Sequence, residues 1–226
     1  MGVWWPTRLA LLPTLLLIFL AFAACQRTDP VVKIGLVAPF EGRNRDVGYD
    51  VIYSARLAIR QANKARGPGE VRLALVAVDD FGDPAMARQS ARALAVDPGI
   101  VAVIGHWLPE TTAAAKSHYE AAGLSLVQAG DEPLGVTDPA SLDEEFLRAY
   151  AEVTPFDEVA GPRAGAAYDG VQLIIAALSA IENDGREINR VTVSHALEDM
   201  IYDGVTGTVW QPEVQSDEET KIHQGG

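Results

Sequence analysis

The sequence predicts an α/β protein with a three-layer, doubly wound parallel sheet. Two observations lead to this fold class. Short segments that are apolar almost throughout alternate with longer segments of helical periodicity, and Gly- or Pro-containing turns separate them. Such alternation is typical of βαβ units, whose crossover connections force parallel strands with helices on both faces.

The first strand is predicted over residues 31–38, because the segment is almost continuously apolar, as in a sheet that is covered on both faces. Between residues 47 and 66 the apolar residues recur at helical spacing, which predicts the first helix. A second apolar run predicts a strand over 71–78. Asp83 followed by Pro84 is typical of a helix N-terminus, so the second helix runs from there to about residue 96.

The same alternation continues to residue 128. Residues 100–104 are all apolar and predict the third strand. The next helix is expected over 109–122, before Gly123, and a fourth strand over 124–127. Residues 31–128 are therefore a βαβαβαβ core, with the short connections of a Rossmann- or flavodoxin-like sheet.

Beyond residue 128 the alternation stops. Residues 129–141 are rich in Gly, Asp and Pro and predict an irregular connection. The periodicity of the later segments predicts a helix with a charged face over 142–153, a strongly buried helix over 163–183, a shorter helix over 191–200 and a short strand within 207–210. The acidic, polar tail over 211–226 is predicted to be flexible.

Residues 1–24 have the character of an export signal. They hold no acid and one cation, Arg8, after which the run to Ala24 is apolar except for Thr14. A run of that length is too short for a membrane span and typical of a signal peptide. Small residues before the only cysteine, Cys25, resemble the lipobox of bacterial lipoproteins, which predicts lipidation of Cys25. An ordinary cleaved signal and an uncleaved anchor are the alternatives.

Composition excludes several function classes. The net charge of -13 argues against nucleic-acid binding, which needs clustered Lys and Arg. A single cysteine rules out an intramolecular disulfide framework and a Cys-rich metal site. The four histidines lack metal-ligand spacing, and no G-x-S-x-G, H-E-x-x-H, P-loop or G-x-G-x-x-G motif is present. We therefore expect neither an enzyme, nor a cofactor, nor a metal.

The candidate binding site lies in the loops that follow the strands, because ligands of doubly wound sheets bind at the carboxyl ends of the strands. Guanidinium groups, hydroxyls and the amides of a helix N-terminus in these loops suit a carboxylate, and Trp107 offers a flat apolar wall. The candidate ligand-binding residues are Glu41, Arg43, Arg45, His106, Trp107, Thr111, Thr112, Gly130 and Asp131.

The pair Asp79-Asp80 at a strand end has two interpretations. It is similar to the magnesium-binding acidic pocket of a receiver domain, but Gly82-Asp83-Pro84 follows it. We therefore expect Asp83 to cap a helix and the pair to brace the turn.

Several segments resemble the leucine/isoleucine/valine-binding family, the type I periplasmic solute-binding proteins of ABC transporters. In chain order they are residues 32–42, Gly48 with 55–63, 79–84, 101–106, 119–123, 167–171 and 202–207. The resemblance implies a two-lobed receptor outside the cytoplasm that closes on an amino acid or similar solute and delivers it to an ABC permease.

Two departures from the family pattern bear on this expectation. Where the family has site hydroxyls, this chain has Leu108-Pro109-Glu110 and Gly130-Asp131-Glu132, and Val47 replaces a frequent aromatic residue, which argues against branched-chain amino acids as the ligand. Between 127 and 163 there is no βαβ alternation, where the family places its second lobe. We predict a single lobe over 25–226, with residues 129–162 as a shortened linker.

Three functions compete on this basis. The first is a lipid-anchored protein that binds a small polar solute such as an amino acid or amide. The second is a single-lobe interaction module, which pairs with a second copy, a permease or a sensor. The third is an exported hydrolase that uses Asp79, Asp80 and His106.

Overall fold

Four parallel strands form one sheet in the computed structural model. They are β1 (Val31–Ala38), β2 (Arg72–Asp79), β3 (Ile100–Ile104) and β4 (Ser125–Val127). Their order is β2-β1-β3-β4, and every neighbouring pair is parallel. The chain therefore leaves β1 first towards β2 and later towards β3 and β4. This reversal makes the sheet doubly wound and confirms the predicted fold class.

Six helices and a small hairpin complete the described elements. The helices are α1 (Arg45–Ala65), α2 (Pro84–Ala95), α3 (Pro109–Ala121), α4 (Glu144–Val153), α5 (Ala164–Asn183) and α6 (Arg190–Glu198). A short 3₁₀ turn covers Pro139–Ser141, and β5 (Tyr202–Asp203) pairs antiparallel with β6 (Val209–Trp210). The helices and the first four strands begin and end within two residues of the predicted positions.

The structure describes residues 29–67, 69–128, 135–155, 158–198, 200, 202–207 and 209–210. The predicted signal peptide, Cys25, the segment 129–134 and the tail from residue 211 lie outside the described residues. The short strand predicted within 207–210 is present over 209–210, where it pairs with residues 202–203.

The two faces of the sheet are covered by different helices. Along β1, Ile34 and Leu36 pack into a cluster with α1, α5 and α6, whereas Val37 packs with α2 and α3. Because successive side chains of a strand point to opposite faces, a strand between two helical layers must be apolar at nearly every position. This explains the continuous apolar run that predicted β1.

Helix α5 is long and apolar enough to cross a membrane by length and composition alone, yet 67% of its most apolar window is buried inside the protein. It packs against α1 and the sheet, as the predicted strongly buried helix should.

Two buried carboxylates attach the later part of the chain to this core. Asp50 of α1 accepts hydrogen bonds from the amides of Gly161 (2.8 Å) and Arg163 (2.7 Å). Asp169 of α5 accepts from the amides of Val205 (2.8 Å) and Thr206 (3.0 Å), and from the Thr206 hydroxyl. Burial raises the pKa of both carboxyl groups, and the amide donors offset part of that rise.

Arg190, at the start of α6, connects three earlier elements at the amino end of the sheet, which is the end away from the candidate binding loops. Its guanidinium donates to the carbonyls of Ile100 (3.0 Å), Ala122 (3.1 Å), Ala95 (3.0 Å) and Asp97 (2.7 Å). These carbonyls belong to the start of β3 and to the C-terminal ends of α2 and α3, where helix dipoles favour a cation. One side chain thus holds three elements that precede it by about seventy residues or more.

We expect Arg190→Ala to lower the free energy of unfolding by about 2–3 kcal/mol, because several carbonyls lose a charged donor at once. The matched control is Arg186→Ala, which removes an exposed cation whose partner, Asp184, is also exposed. It should change the free energy by less than about 0.5 kcal/mol. Urea unfolding measures both variants, and equal losses would contradict a bracing role for Arg190.

Candidate functional site

The carboxyl ends of β1 and β3 form the switch point of the sheet. The two strands are neighbours, but the chain leaves β1 for α1 on one face and β3 for α3 on the other. A crevice between the two outgoing loops is the place where open α/β sheets bind ligands. Close packing begins directly at the strand end, since a Cβ on Gly105 would collide with the carbonyl oxygen of Val37.

The loop after β2 also reaches this switch point. Gly82 has a φ of +65°, and a Cβ there would lie 3.0 Å from Asn44 Nδ2 and 3.1 Å from Leu108 Cδ1. Asn44 belongs to the loop after β1 and Leu108 to the loop after β3. Three of the four predicted loops therefore meet at Gly82.

Three aspartates shape the loop after β2, as the sequence predicted. Asp79 Oδ1 accepts from the amides of Phe40 (2.9 Å) and Phe81 (2.8 Å), which ties this loop to the end of β1. Asp80 Oδ1 accepts from the Gly82 amide (2.9 Å). Asp83 caps α2 by accepting from the first amides of that helix. The turn-bracing interpretation is confirmed, and the described residues contain no group of three or more His, Cys, Asp or Glu able to hold a metal.

His106 lies in a buried polar network instead of lining an open rim. Its Nδ1 is 2.7 Å from Asp80 Oδ2, and its Nε2 is 3.1 Å from the Tyr119 hydroxyl. All three side chains are almost fully buried. These contacts fit a ring that donates from Nδ1 to the carboxylate and accepts from the phenol at Nε2. Burial, with the nearby Asp80 charge, raises the pKa of Tyr119 and keeps its proton in place.

The loop after β3 uses its other polar groups locally. The Thr111 hydroxyl donates to the Leu108 carbonyl (3.0 Å), and the Thr112 hydroxyl donates to the His106 carbonyl (2.9 Å). Trp107 is 1% exposed and packs in the core, and its Nε1 finds no hydrogen-bond partner within the described part of the chain. The expected open wall at Trp107 is therefore corrected, because the first residues after β3 turn inward with the strand's own packing.

The loop after β1 presents the exposed charges of this edge. Glu41, Arg43 and Arg45 are all exposed, and Arg45 is the first residue of α1. Their side chains are therefore accessible to a solute, and their role in binding stays a prediction. Gly130 and Asp131 lie outside the described residues.

Sequence reasoning missed two aromatic residues at this edge. Phe81 is 48% exposed with a φ of 55°, and Tyr49, in the first turns of α1, is 47% exposed. Large aromatic residues in loops at the carboxyl end of a sheet are the signal that would have identified them.

A cavity of about 220 Å³ opens beside the first turns of α1. Its lining includes Asp50, Tyr150 and Arg163, so the attachment of the later chain forms one of its walls. The sequence did not predict it, since its walls are more than 90 residues apart along the chain.

Comparison with known proteins identifies relatives of this chain. Residues 31–141 match the family model described as periplasmic binding protein. The leucine-, isoleucine-, valine-, threonine-, and alanine-binding protein of Pseudomonas aeruginosa is 31% identical over 147 residues, which is 64% of this chain and 37% of the relative. The chain thus spans about a third of the length of the curated relatives it matches.

Solved structures show the same fold. A putative branched-chain amino acid ABC transporter from Rhodospirillum rubrum gives a TM-score of 0.69 at 17% identity, covering 81% of this chain and 94% of the other. The branched-chain amino acid transporter substrate binding protein LivJ from Streptococcus pneumoniae, in complex with isoleucine, gives 0.66 at 14% identity, covering 79% and 91%.

We expect Tyr119→Phe to lower the free energy of unfolding by about 1–3 kcal/mol, because it leaves His106 Nε2 buried without a partner. Tyr49→Phe is the matched control, since it removes a hydroxyl from an exposed tyrosine. Guanidinium unfolding of both variants gives the difference, and a neutral Tyr119→Phe would show that the network is not required for stability.

Proposed function

Because this chain is a partial member of the type I periplasmic binding protein family of ABC transporters, we propose that it is an extracytoplasmic, lipid-anchored receptor for a small polar solute such as an amino acid or amide. The observation that supports this proposal best is the switch point between β1 and β3, with the exposed cations Arg43 and Arg45 in the loop that follows β1. Its partners would be the solute and an ABC permease.

The exposed charges at the crevice favour a solute with a carboxylate. Arg43 and Arg45 stand at the N-terminus of α1, where the helix dipole also favours an anion. On the other side, α3 begins at Pro109 without a side-chain cap, so its first amides can serve a ligand. A guanidinium and a carboxylate form charge-assisted hydrogen bonds, which are stronger than neutral ones.

We expect a more polar solute than the branched-chain amino acids in the names of the relatives. The Streptococcus pneumoniae relative is solved with isoleucine, but Leu108-Pro109-Glu110 stand here in place of the family's site hydroxyls. We therefore favour a polar amino acid or amide. A single lobe over 25–226, with a shortened linker over 129–162, would present only one side of a binding cleft. Less of the solute is buried, and affinity is lower than in a two-lobed receptor.

An interaction module is the second candidate, and the exposed aromatic residues favour it. Phe81 and Tyr49 lie at the carboxyl end of the sheet, where the resemblance to two-lobed receptors implies that a second lobe would pack, and Val159 is 86% exposed. Exposed apolar groups of this kind are typical of protein interaction sites. Light scattering separates the two candidates: a strict monomer that binds solute supports the receptor.

Calorimetry of the full chain against amino acids, amides and small carboxylates tests solute binding. For a carboxylate ligand, we expect Arg43→Ala with Arg45→Ala to weaken binding about tenfold, or 1.4 kcal/mol. The matched control replaces Arg88 and Arg92, two exposed cations of α2 outside the candidate loops, and should leave binding unchanged. Absence of any heat signal across the panel would contradict autonomous binding.

Mass spectrometry of the mature N-terminus tests the lipid anchor. We expect the exported chain to begin at Cys25 with a diacylglycerol on its thiol, and Cys25→Ser to remain unprocessed. An unmodified thiol at Cys25 would contradict the anchor while leaving solute binding intact.

A further inference from the structure

Strand β2 forms one edge of the sheet, and its backbone groups face two directions. The amide of Arg72 donates to the Pro30 carbonyl (2.7 Å) and the amide of Asp80 to the Ala38 carbonyl (3.2 Å), both on the β1 side. Backbone groups alternate along a strand, so the odd-numbered residues between them face away from β1. An outward row of this kind is a template for pairing with another strand.

Asn63, near the C-terminal end of α1, occupies the first outward position. Its Nδ2 donates to the Leu73 carbonyl (2.8 Å), and its Oδ1 accepts from the Leu73 amide (2.9 Å). These are the two hydrogen bonds that a residue of a neighbouring antiparallel strand exchanges with its partner. The side chain therefore imitates one residue of a further strand.

The other end of the outward row is also partly occupied, because the Ser90 hydroxyl donates to the Asp79 carbonyl (3.0 Å). Between the two ends, Leu75 and Ala77 have no outward hydrogen-bond partner among the described residues, and Ala77 is exposed. The strand is apolar from Leu73 to Val78, which is the composition of an edge prone to pairing.

This outward row is self-complementary. In a two-fold antiparallel pair of two copies centred on Val76, Leu75 of each copy faces Ala77 of the other, and Leu73 faces Asp79.

We propose that Asn63 guards β2 against antiparallel pairing with a second copy of this chain. With Asn63 in place, only the two Leu75–Ala77 pairs are open to a second copy. Without it, the Leu73 carbonyl of each copy can also accept from the Asp79 amide of the other, while the Ser90 hydroxyl keeps its bond to the Asp79 carbonyl, so the ladder lengthens at both ends. The partner that Asn63 excludes is strand β2 of another copy. Asn63 belongs to α1, a helix that is already packed in the core.

Sedimentation of the full chain in density-matched detergent tests the proposal. We expect Asn63→Ala to raise the association constant at least about tenfold, whereas Arg60→Ala, an exposed change on the same helix, leaves it unchanged. Asn63→Asp keeps the acceptor for the Leu73 amide and loses the donor, so an intermediate value is expected. Where Asn63→Ala does not fold, this variant carries the test.

Ala77→Pro separates edge pairing from association through unfolding. Its amide points away from β1, so proline removes an outward donor without breaking the β1 ladder. In the Asn63→Ala background it should restore the original association constant. Amide exchange at Leu75 and Ala77 should slow when Asn63→Ala assembles.

Three results would overturn the proposal. They are unchanged association of Asn63→Ala, assembly that persists with Ala77→Pro, and slow exchange at Leu75 and Ala77 in the unmodified protein. Since none involves a solute, failure here is distinguishable from failure of the receptor function.

Discussion

The burial of β1 on both faces is the constraint on which the rest of the structure depends. β1 pairs with β2 on one side and β3 on the other, and its side chains alternate between two helical layers. A strand in this position accommodates apolar side chains almost exclusively, because an unpaired polar group inside would lose its hydration. Charged and hydrogen-bonding residues are thereby displaced to the two ends of the sheet, where the loops and helix termini need them.

The polar residues at the carboxyl end and at the amino end of the sheet have different roles. At the carboxyl end, Asp79 and Asp80 hold the loops together, and Arg43 is exposed in the loop after β1. At the opposite end, Arg190 collects carbonyls from three elements. The candidate binding site is therefore at the carboxyl end of the sheet, where some polar side chains stay exposed to solvent and are not needed to hold the loops. A binding surface requires such groups.

Sequence periodicity was sufficient for the fold and insufficient for the site. The apolar runs of β1 and β3 and the Asp83-Pro84 helix start predicted elements that the structure confirms. The directions of side chains at the strand ends were not predictable in this way. His106 and Trp107 follow β3 directly in the sequence, yet both are buried. The partners that enclose His106, Asp80 and Tyr119, come from different elements, so the sequence around His106 does not reveal its burial. Arg43 and Arg45 are exposed, as expected of charged residues in the loop after β1, and their role in binding stays a prediction.

The distant attachments of the later chain have a consequence for the order in which the protein forms. Asp50 accepts hydrogen bonds from the amides of Gly161 and Arg163, which follow it by 111 and 113 positions in the chain. Arg190 likewise donates to the carbonyl of Ile100, which precedes it by 90 positions. While a ribosome has released only the strands and helices up to β4, the face of the sheet that α5 and α6 cover stays open to water. Such non-local contacts slow folding and lengthen the exposure of apolar surface. The nascent chain is thus a natural client for chaperones until its last quarter has emerged.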